Sequence, residues 1–329
     1  MVRSLMAKRS RTHDLAPYCP VVTLIAADLL GRGKHLLIAL LVGSAALVAP
    51  EANAAPVWTT PTNGIVESSP DVANGTVYVG SNDGNVYALD AITGHVDWTA
   101  PTGGAVASSP SVVNGVVYVG SNDGSVYLLD AITGKEIVQT MTGGPVMSSP
   151  SVVNGVVYVG SNDGNVRAID ATTGKVDWAT LTGGAVASSP SVVNGVAYVG
   201  SNDGNVYAID ATTGHEIWQT LTGAAVVSSP TVLLSVLYIG SNDGGLYALD
   251  ASTGKILSDT VTGAGVMSSP DVVNGVVFFG SNDHSVWAVS EVQIAVPLPA
   301  TLPLFTTGLG ALGLLGWRRK RKARKAQAI

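Results

Sequence analysis

Between Gly64 and Ser290 one unit of forty residues is written six times. The tripeptide Ser-Ser-Pro ends at Pro70, Pro110, Pro150, Pro190, Pro230 and Pro270, and Gly-Ser-Asn-Asp begins at Gly80, Gly120, Gly160, Gly200, Gly240 and Gly280. A fixed period of this length restricts the fold to a solenoid, a propeller or an array. It also spreads every recurring side chain over six places, so no unique pocket stands out.

The second copy shows what each unit builds. Val112-Val113 leads to Asn114-Gly115, a strong signal for a two-residue hairpin. The β-branched and aromatic run Val116 to Val119 follows. Ser121 to Gly124 supplies a second turn, from residues that tolerate positive φ. Val126 to Leu129 reads as a third strand, Asp130 to Gly134 as a third turn, and Glu136 to Thr140 as a fourth strand. No segment holds helical periodicity long enough to compete. Four short antiparallel strands in forty residues make one propeller blade, and a second strand apolar on both faces suits a strand sandwiched between blades.

The ends of the array are complementary. A fourth-strand tryptophan stands at Trp98, Trp178 and Trp218, and forty residues before Trp98 comes Trp58, in Pro56 to Thr60. The last copy has three strands and then runs on without a Thr-Gly-x-x-x-Trp. The expectation is an all-β, six-bladed propeller of four-stranded antiparallel blades, closed by the N-terminal strand, which would leave no free sheet edge.

The run Tyr78 to Trp98, Tyr-Val-Gly-Ser-Asn-Asp-Gly-Asn-Val-Tyr-Ala-Leu-Asp-Ala-Ile-Thr-Gly-His-Val-Asp-Trp, resembles the PQQ-like (pyrroloquinoline-quinone-type) propeller repeat. The resemblance covers about Val57 to Ser290. It implies that Trp58, Trp98, Trp178 and Trp218 dock each blade against its neighbour, with Val138 and Ser258 as departures. Family propellers often have seven or eight blades, against six repeats here. Quinone-binding members resemble one another in a cofactor sandwiched between a tryptophan and a vicinal disulfide, with calcium nearby. The one cysteine of this chain is Cys19, upstream of the repeats, so that sandwich cannot form and no cofactor is expected. A shared fold does not carry chemistry with it.

The two ends read as targeting signals. Leu36 to Ala49 is a short apolar run after Arg32 and Lys34, and Ala52-Asn53-Ala54 is a small-x-small site. Residues 1–54 are expected to be a signal peptide with an extended n-region, cleaved between Ala54 and Ala55. The propeller is expected over 55–291 and a linker with a motif over 292–300. That motif is Val296-Pro297-Leu298-Pro299-Ala300. Residues 301–317 are long enough for a marginal membrane helix, and the basic tail 318–329 should stay cytoplasmic. Together these three parts resemble the PEP-CTERM sorting signal in its Val-Pro-Leu-Pro-Ala form. That resemblance implies processing by an exosortase-type enzyme in a Gram-negative, polysaccharide-making bacterium. The alternative is an ordinary single-span anchor. Either way the repeats are expected outside the cytoplasm, passing through an inner-membrane-anchored intermediate to the surface or medium.

Charge follows the same division. The net charge is −6, yet between Ala55 and Pro299 the basic residues are Lys135, Arg167, Lys175 and Lys255 alone. An acidic body argues against nucleic acid and against anionic membrane surfaces.

Candidate chemistry is sparse. Asp83 and its five counterparts sit in an Asn-Asp turn, where a calcium loop competes with a plain hairpin turn held by local hydrogen bonds. Asp90 and its counterparts precede a Thr-Gly turn and suit the same local role. His95 and His215 share a slot with Lys135, Lys175 and Lys255, which marks a solvated position; no histidine pair has metal-ligand spacing. The repeated serines form no Gly-x-Ser-x-Gly elbow, but by the family fold they line the central channel, where they would suit water or sugar hydroxyls. Broken symmetry at Glu67, Arg167 and Leu234-Ser235 is where a unique site would hide. The expected role is non-catalytic: a scaffold or binding module of the envelope or extracellular matrix, partnered by extracellular polysaccharide or an envelope protein. The alternatives are a multivalent polysaccharide binder, a quinone-dependent dehydrogenase, and an assembly propeller similar to the outer-membrane lipoprotein of this fold, whose lipidated cysteine is lacking here.

Overall fold

The computed structural model describes residues 56–292. The expected cleavage site at Ala54 and Ala55, the motif Val296 to Ala300, the membrane helix and the basic tail lie outside the described residues. Among the described residues no helix is long and apolar enough to cross a membrane.

Each repeat folds into one antiparallel sheet. Blade one comprises β1 (Asp71–Ala73), β2 (Thr76–Gly80), β3 (Asn85–Asp90) and β4 (Val96–Pro101), paired in that order. Blade two repeats it as β5 (Ser111–Val113), β6 (Val116–Gly120), β7 (Ser125–Asp130) and β8 (Glu136–Met141). Blades three (β9 to β12), four (β13 to β16) and five (β17 to β20) span 151–181, 191–221 and 231–261. Blade six has three strands, β21 (Asp271–Val273), β22 (Val276–Ser281) and β23 (Ser285–Ser290). The middle strands β2 and β3 are almost wholly buried, whereas β4 alternates. A middle strand therefore packs against neighbours on both faces, and an outer strand on one.

Turn chemistry sets the register. Asn74 and Gly75 both take positive φ (51° and 82°), the two-residue turn whose twist matches the flanking strands. It pairs Ala73 with Thr76 and Asp71 with Tyr78. Between β3 and β4 the register slips after Ala88, and the same irregularity recurs in each four-stranded blade. The extra residue re-aims the outer strand and leaves Ala88 opposite Trp98.

Blades join through a dry seam. Between blades one and two, Val86 and Ala88 meet Val106, Val117 and Val119, all buried. A side chain at Gly80 would stand 2.4 Å from Val106, so glycine alone permits this approach. The same contact recurs at Gly120, Gly160, Gly200 and Gly240.

The expected closure is not formed among the described residues. Residues 57–60 are not a strand, β23 pairs with β22 alone, and no hydrogen bond joins blade six to blade one. The faces that would meet across a closing seam stand uncovered instead, Val286 on β23 being 85% exposed and Val66 46%. Among the described residues the chain builds six antiparallel sheets, five of them four-stranded.

Candidate functional site

The recurring polar residues hold the blades together. Asp123 Oδ2 accepts the Tyr127 hydroxyl at 2.5 Å and the Gly103 amide at 2.9 Å, while Oδ1 accepts the Ser125 amide at 2.8 Å. Gly103 belongs to the preceding blade, so the carboxylate ties two blades. Burial alone would raise its pKa, but these donors outweigh it and hold Asp123 low. Burial and the Asp123 bond push Tyr127 up to about 12. Asp83, Asp203 and Asp243 bind a tyrosine in the same way. Asp90 Oδ1 accepts the Ile92 and Thr93 amides and the Thr93 hydroxyl, and those bonds lower its pKa. These carboxylates are engaged by their own turns and, for Asp83, Asp123, Asp203 and Asp243, by an amide twenty residues earlier, which favours the hairpin reading over calcium. Among the described residues no group of three or more potential metal ligands comes together.

The serines are also engaged. The first of each pair is buried in the first five blades, and Ser108 Oγ accepts the Gly120 amide at 3.1 Å. The second links blades: the Ser69 amide donates to Ser109 Oγ at 2.8 Å, and the relay continues through Ser149, Ser189, Ser229 and Ser269. The second-serine hydroxyls from Ser109 to Ser269 each already accept one of these amide bonds, and the exposed Ser69 hydroxyl accepts none of them, which leaves little of the channel reading for sugar.

The tryptophans lie across the seams. Trp58, Trp98, Trp178 and Trp218 each donate Nε1–H to a carbonyl of the next blade, that of Ala91, Ala131, Ala211 and Ala251, at 3.0–3.1 Å. Each indole covers a glycine of the Thr-Gly turn. At Gly134 (φ 68°) a side chain would fall 2.5 Å from Trp98 Cε3. Val138 replaces the indole at the next seam and sits directly on Gly174. Ser258 faces blade six, which has no such turn within the described residues.

Beside the indoles run grooves that sequence reasoning missed. Between blades one and two, two and three, three and four, and four and five, the hairpin-turn asparagine, the second-strand tyrosine and the fourth strand enclose about 350, 590, 460 and 560 Å³ respectively. The two widest lie where symmetry is broken. One is the seam where Val138 stands in the tryptophan slot, and the other is bounded by Leu234 and Ser235. The signal was present in the sequence as two departures from the repeat, but their placement on one kind of groove is a property of the stacked blades.

The other departures lie apart. Arg167 takes the tyrosine slot and forms a bidentate pair with Asp163 (3.1 and 2.5 Å), both side chains largely buried. Burial raises the Asp163 pKa and the guanidinium overrides it, holding the carboxyl well below the usual range. Glu67 accepts from Asn82 Nδ2 at 3.0 Å within blade one. His95 is exposed and 3.8 Å from Asp97, and His284 occupies a positive-φ turn position (70°).

A family profile described as outer membrane protein assembly factor BamB matches residues 26–136, 99–232 and 222–294. BamB from Moraxella catarrhalis superposes with a TM-score of 0.64 at 23% identity, covering 73% of this chain and 78% of that one. The computationally designed Ika8 protein gives 0.62 at 20%, covering 68% and 70%. Quinohemoprotein alcohol dehydrogenase ADHIIG from Pseudomonas putida HK5 gives 0.60 at 20%, covering 73% of this chain and 54% of its own length. At these identities the superpositions speak for the fold. No curated protein sequence matches the chain.

Proposed function

The chain belongs to the BamB-type family of PQQ-like repeat propellers, and from that premise we propose that it is a non-catalytic scaffold of the cell envelope or extracellular matrix that binds a protein partner. The observation that carries this reading is the division of labour in the repeat. Its carboxylates, tyrosines, serines and indoles are engaged by one another or by backbone amides and carbonyls across turns and seams, while the seam grooves of greatest volume and an exposed leucine at Leu234 are left for contact. An apolar tip beside an apolar groove suits a protein segment better than a hydrated sugar. The family description, an outer-membrane assembly factor, supports an envelope setting.

The sequence pattern at the two ends supports export through residues 1–54 and sorting through Val296 to Ala300 by an exosortase-type enzyme, with the repeats outside the cytoplasm. The second reading, a multivalent polysaccharide binder, draws on the recurrence of the groove at four seams, since weak equivalent sites add.

Co-sedimentation tests both. The purified chain is mixed with the producing cell's envelope proteins and, separately, with its extracellular polysaccharide. Saturable binding to an envelope protein that Leu234→Asp weakens at least about tenfold supports the scaffold. Binding to polysaccharide alone, indifferent to Leu234→Asp, overturns it in favour of the second reading.

A further inference from the structure

Among the described residues the chain makes one seam five times and carries both halves of a sixth without joining them. The trailing half is on blade six. Val286 is 85% exposed, whereas Val86, Val126, Val166 and Val206 in the same slot are fully buried. Phe278 is 42% exposed in a slot where five tyrosines are buried. The leading half is on blade one. Val66 is 46% exposed, against complete burial of Val106, Val146, Val186, Val226 and Val266.

The strand edges match in the same way. Among the described residues β23 is a third strand without a fourth. Residues 57–60 lie where a fourth strand would lie, without a third. Trp58 donates to the Ala91 carbonyl, Thr60 Oγ1 to the Gly94 carbonyl at 2.5 Å, and the Asn63 amide to Asp83 at 3.0 Å. Trp98, Thr140 and Gly103 make those same three bonds at the seams inside the chain. This segment is therefore docked on blade one as a fourth strand, with its other edge free of any strand among the described residues.

We propose that blade six of one copy docks on blade one of a second copy, and that residues 57–61 of the second complete the blade-six sheet of the first. The internal register (Ala88 with Trp98, Tyr87 with Thr99, Val86 with Ala100, Asn85 with Pro101) places Ala288 opposite Trp58, Trp287 opposite Thr59, Val286 opposite Thr60 and Ser285 opposite Pro61. A second copy is the occupant because it alone brings the matching valine, tryptophan and strand edge together, continuing a seam the chain already forms. Among the described residues of one copy both halves are present and remain unjoined. A head-to-tail contact leaves a free half at each end, so association propagates beyond a dimer. The proposal goes beyond the binding role and is read without any partner protein.

Light scattering on the purified full chain over a wide concentration range provides the first test. The mass is expected to rise with concentration past that of a dimer, and Val286→Asp, at a position exposed in the single copy, is expected to hold it at one chain. A wild-type mass that stays at one chain, or a rise that Val286→Asp does not abolish, overturns the proposal. The second test uses Cys19→Ser chains that carry either Pro61→Cys or Ser285→Cys. Mixed under oxidising conditions, the two are expected to give a disulfide-linked product at twice the chain mass. No linked product overturns the proposal. So does a chain carrying both cysteines that closes on itself at single-chain mass.

Discussion

At the scale of single residues, near-identical slots act as built-in controls. Arg167 stands where four blades have tyrosine, and its guanidinium satisfies the same aspartate. Arg167→Ala should leave Asp163 largely buried without its partner and cost about 3 kcal/mol, whereas Arg167→Tyr should be nearly neutral; denaturant midpoints of the two variants decide it. The carboxylates also set the pH response. Asp123, Asp163, Asp203 and Asp243 have folded pKa values below ordinary ones. The folded state therefore binds fewer protons than the unfolded chain. The stability these groups contribute is complete above the ordinary aspartate range and is lost as pH falls from about 4 through their lowered values. Tyr127 and Tyr207 are raised to about 12. Their contribution is complete below the ordinary tyrosine value and is lost as pH rises from about 10 toward 12. Thermal midpoints recorded across pH should form a plateau that falls at both ends. A midpoint that does not drop below about pH 4 would remove the aspartates from the account. Glycines give a second contrast. Gly115 (φ 79°) has open space where a side chain would go, and Gly134 has Trp98. Gly115→Ala should cost about 1 kcal/mol for its left-handed backbone. Gly134→Ala adds a collision with the indole and should cost about 3 kcal/mol. Equal costs would mean that the indole yields freely.

At the scale of elements, the turns carry the register and blade five shows what happens without the right chemistry. Leu234 and Ser235 adopt φ of 47° and 70°, the conformation Asn and Gly take at ease in the other five hairpins. Leu234→Asn with Ser235→Gly should therefore stabilise the chain by about 1–2 kcal/mol, measured by chemical denaturation. If the pair is neutral or harmful, Leu234 earns its place by packing. This hairpin was legible in the sequence as a departure from the repeat, and so were all four strands of the unit, because short β-branched runs and the Asn-Gly turns between them are local signals. The seam grooves were not legible. They depend on how far Tyr118, Asn154 and Ile137 stand apart once two blades stack, and strand patterns say nothing about that distance. The serines show the same limit. Their recurrence was plain, but the amide-to-hydroxyl relay from Ser69 to Ser269 exists only between neighbouring blades.

At the scale of the whole propeller, the number of repeats was legible and the closure was not. Trp58 and the missing fourth strand of blade six are complementary in sequence, which invited a closed ring. Closure depends on the step at each seam, set by contacts such as Gly80 on Val106, and a one-dimensional pattern does not report an angle. The consequence is a seam left open among the described residues, with two matching halves. The most direct measurement is amide hydrogen exchange of β23 compared with β3 and β7, at low and at high protein concentration. At high dilution the outward-facing amides of Ser285–Ser290 should exchange much faster than those of Asn85–Asp90 and Ser125–Asp130, and they should gain protection as concentration rises, with Val286→Asp removing the gain. Protection of β23 equal to that of β3 and β7 at every dilution would show a closed ring and contradict the account.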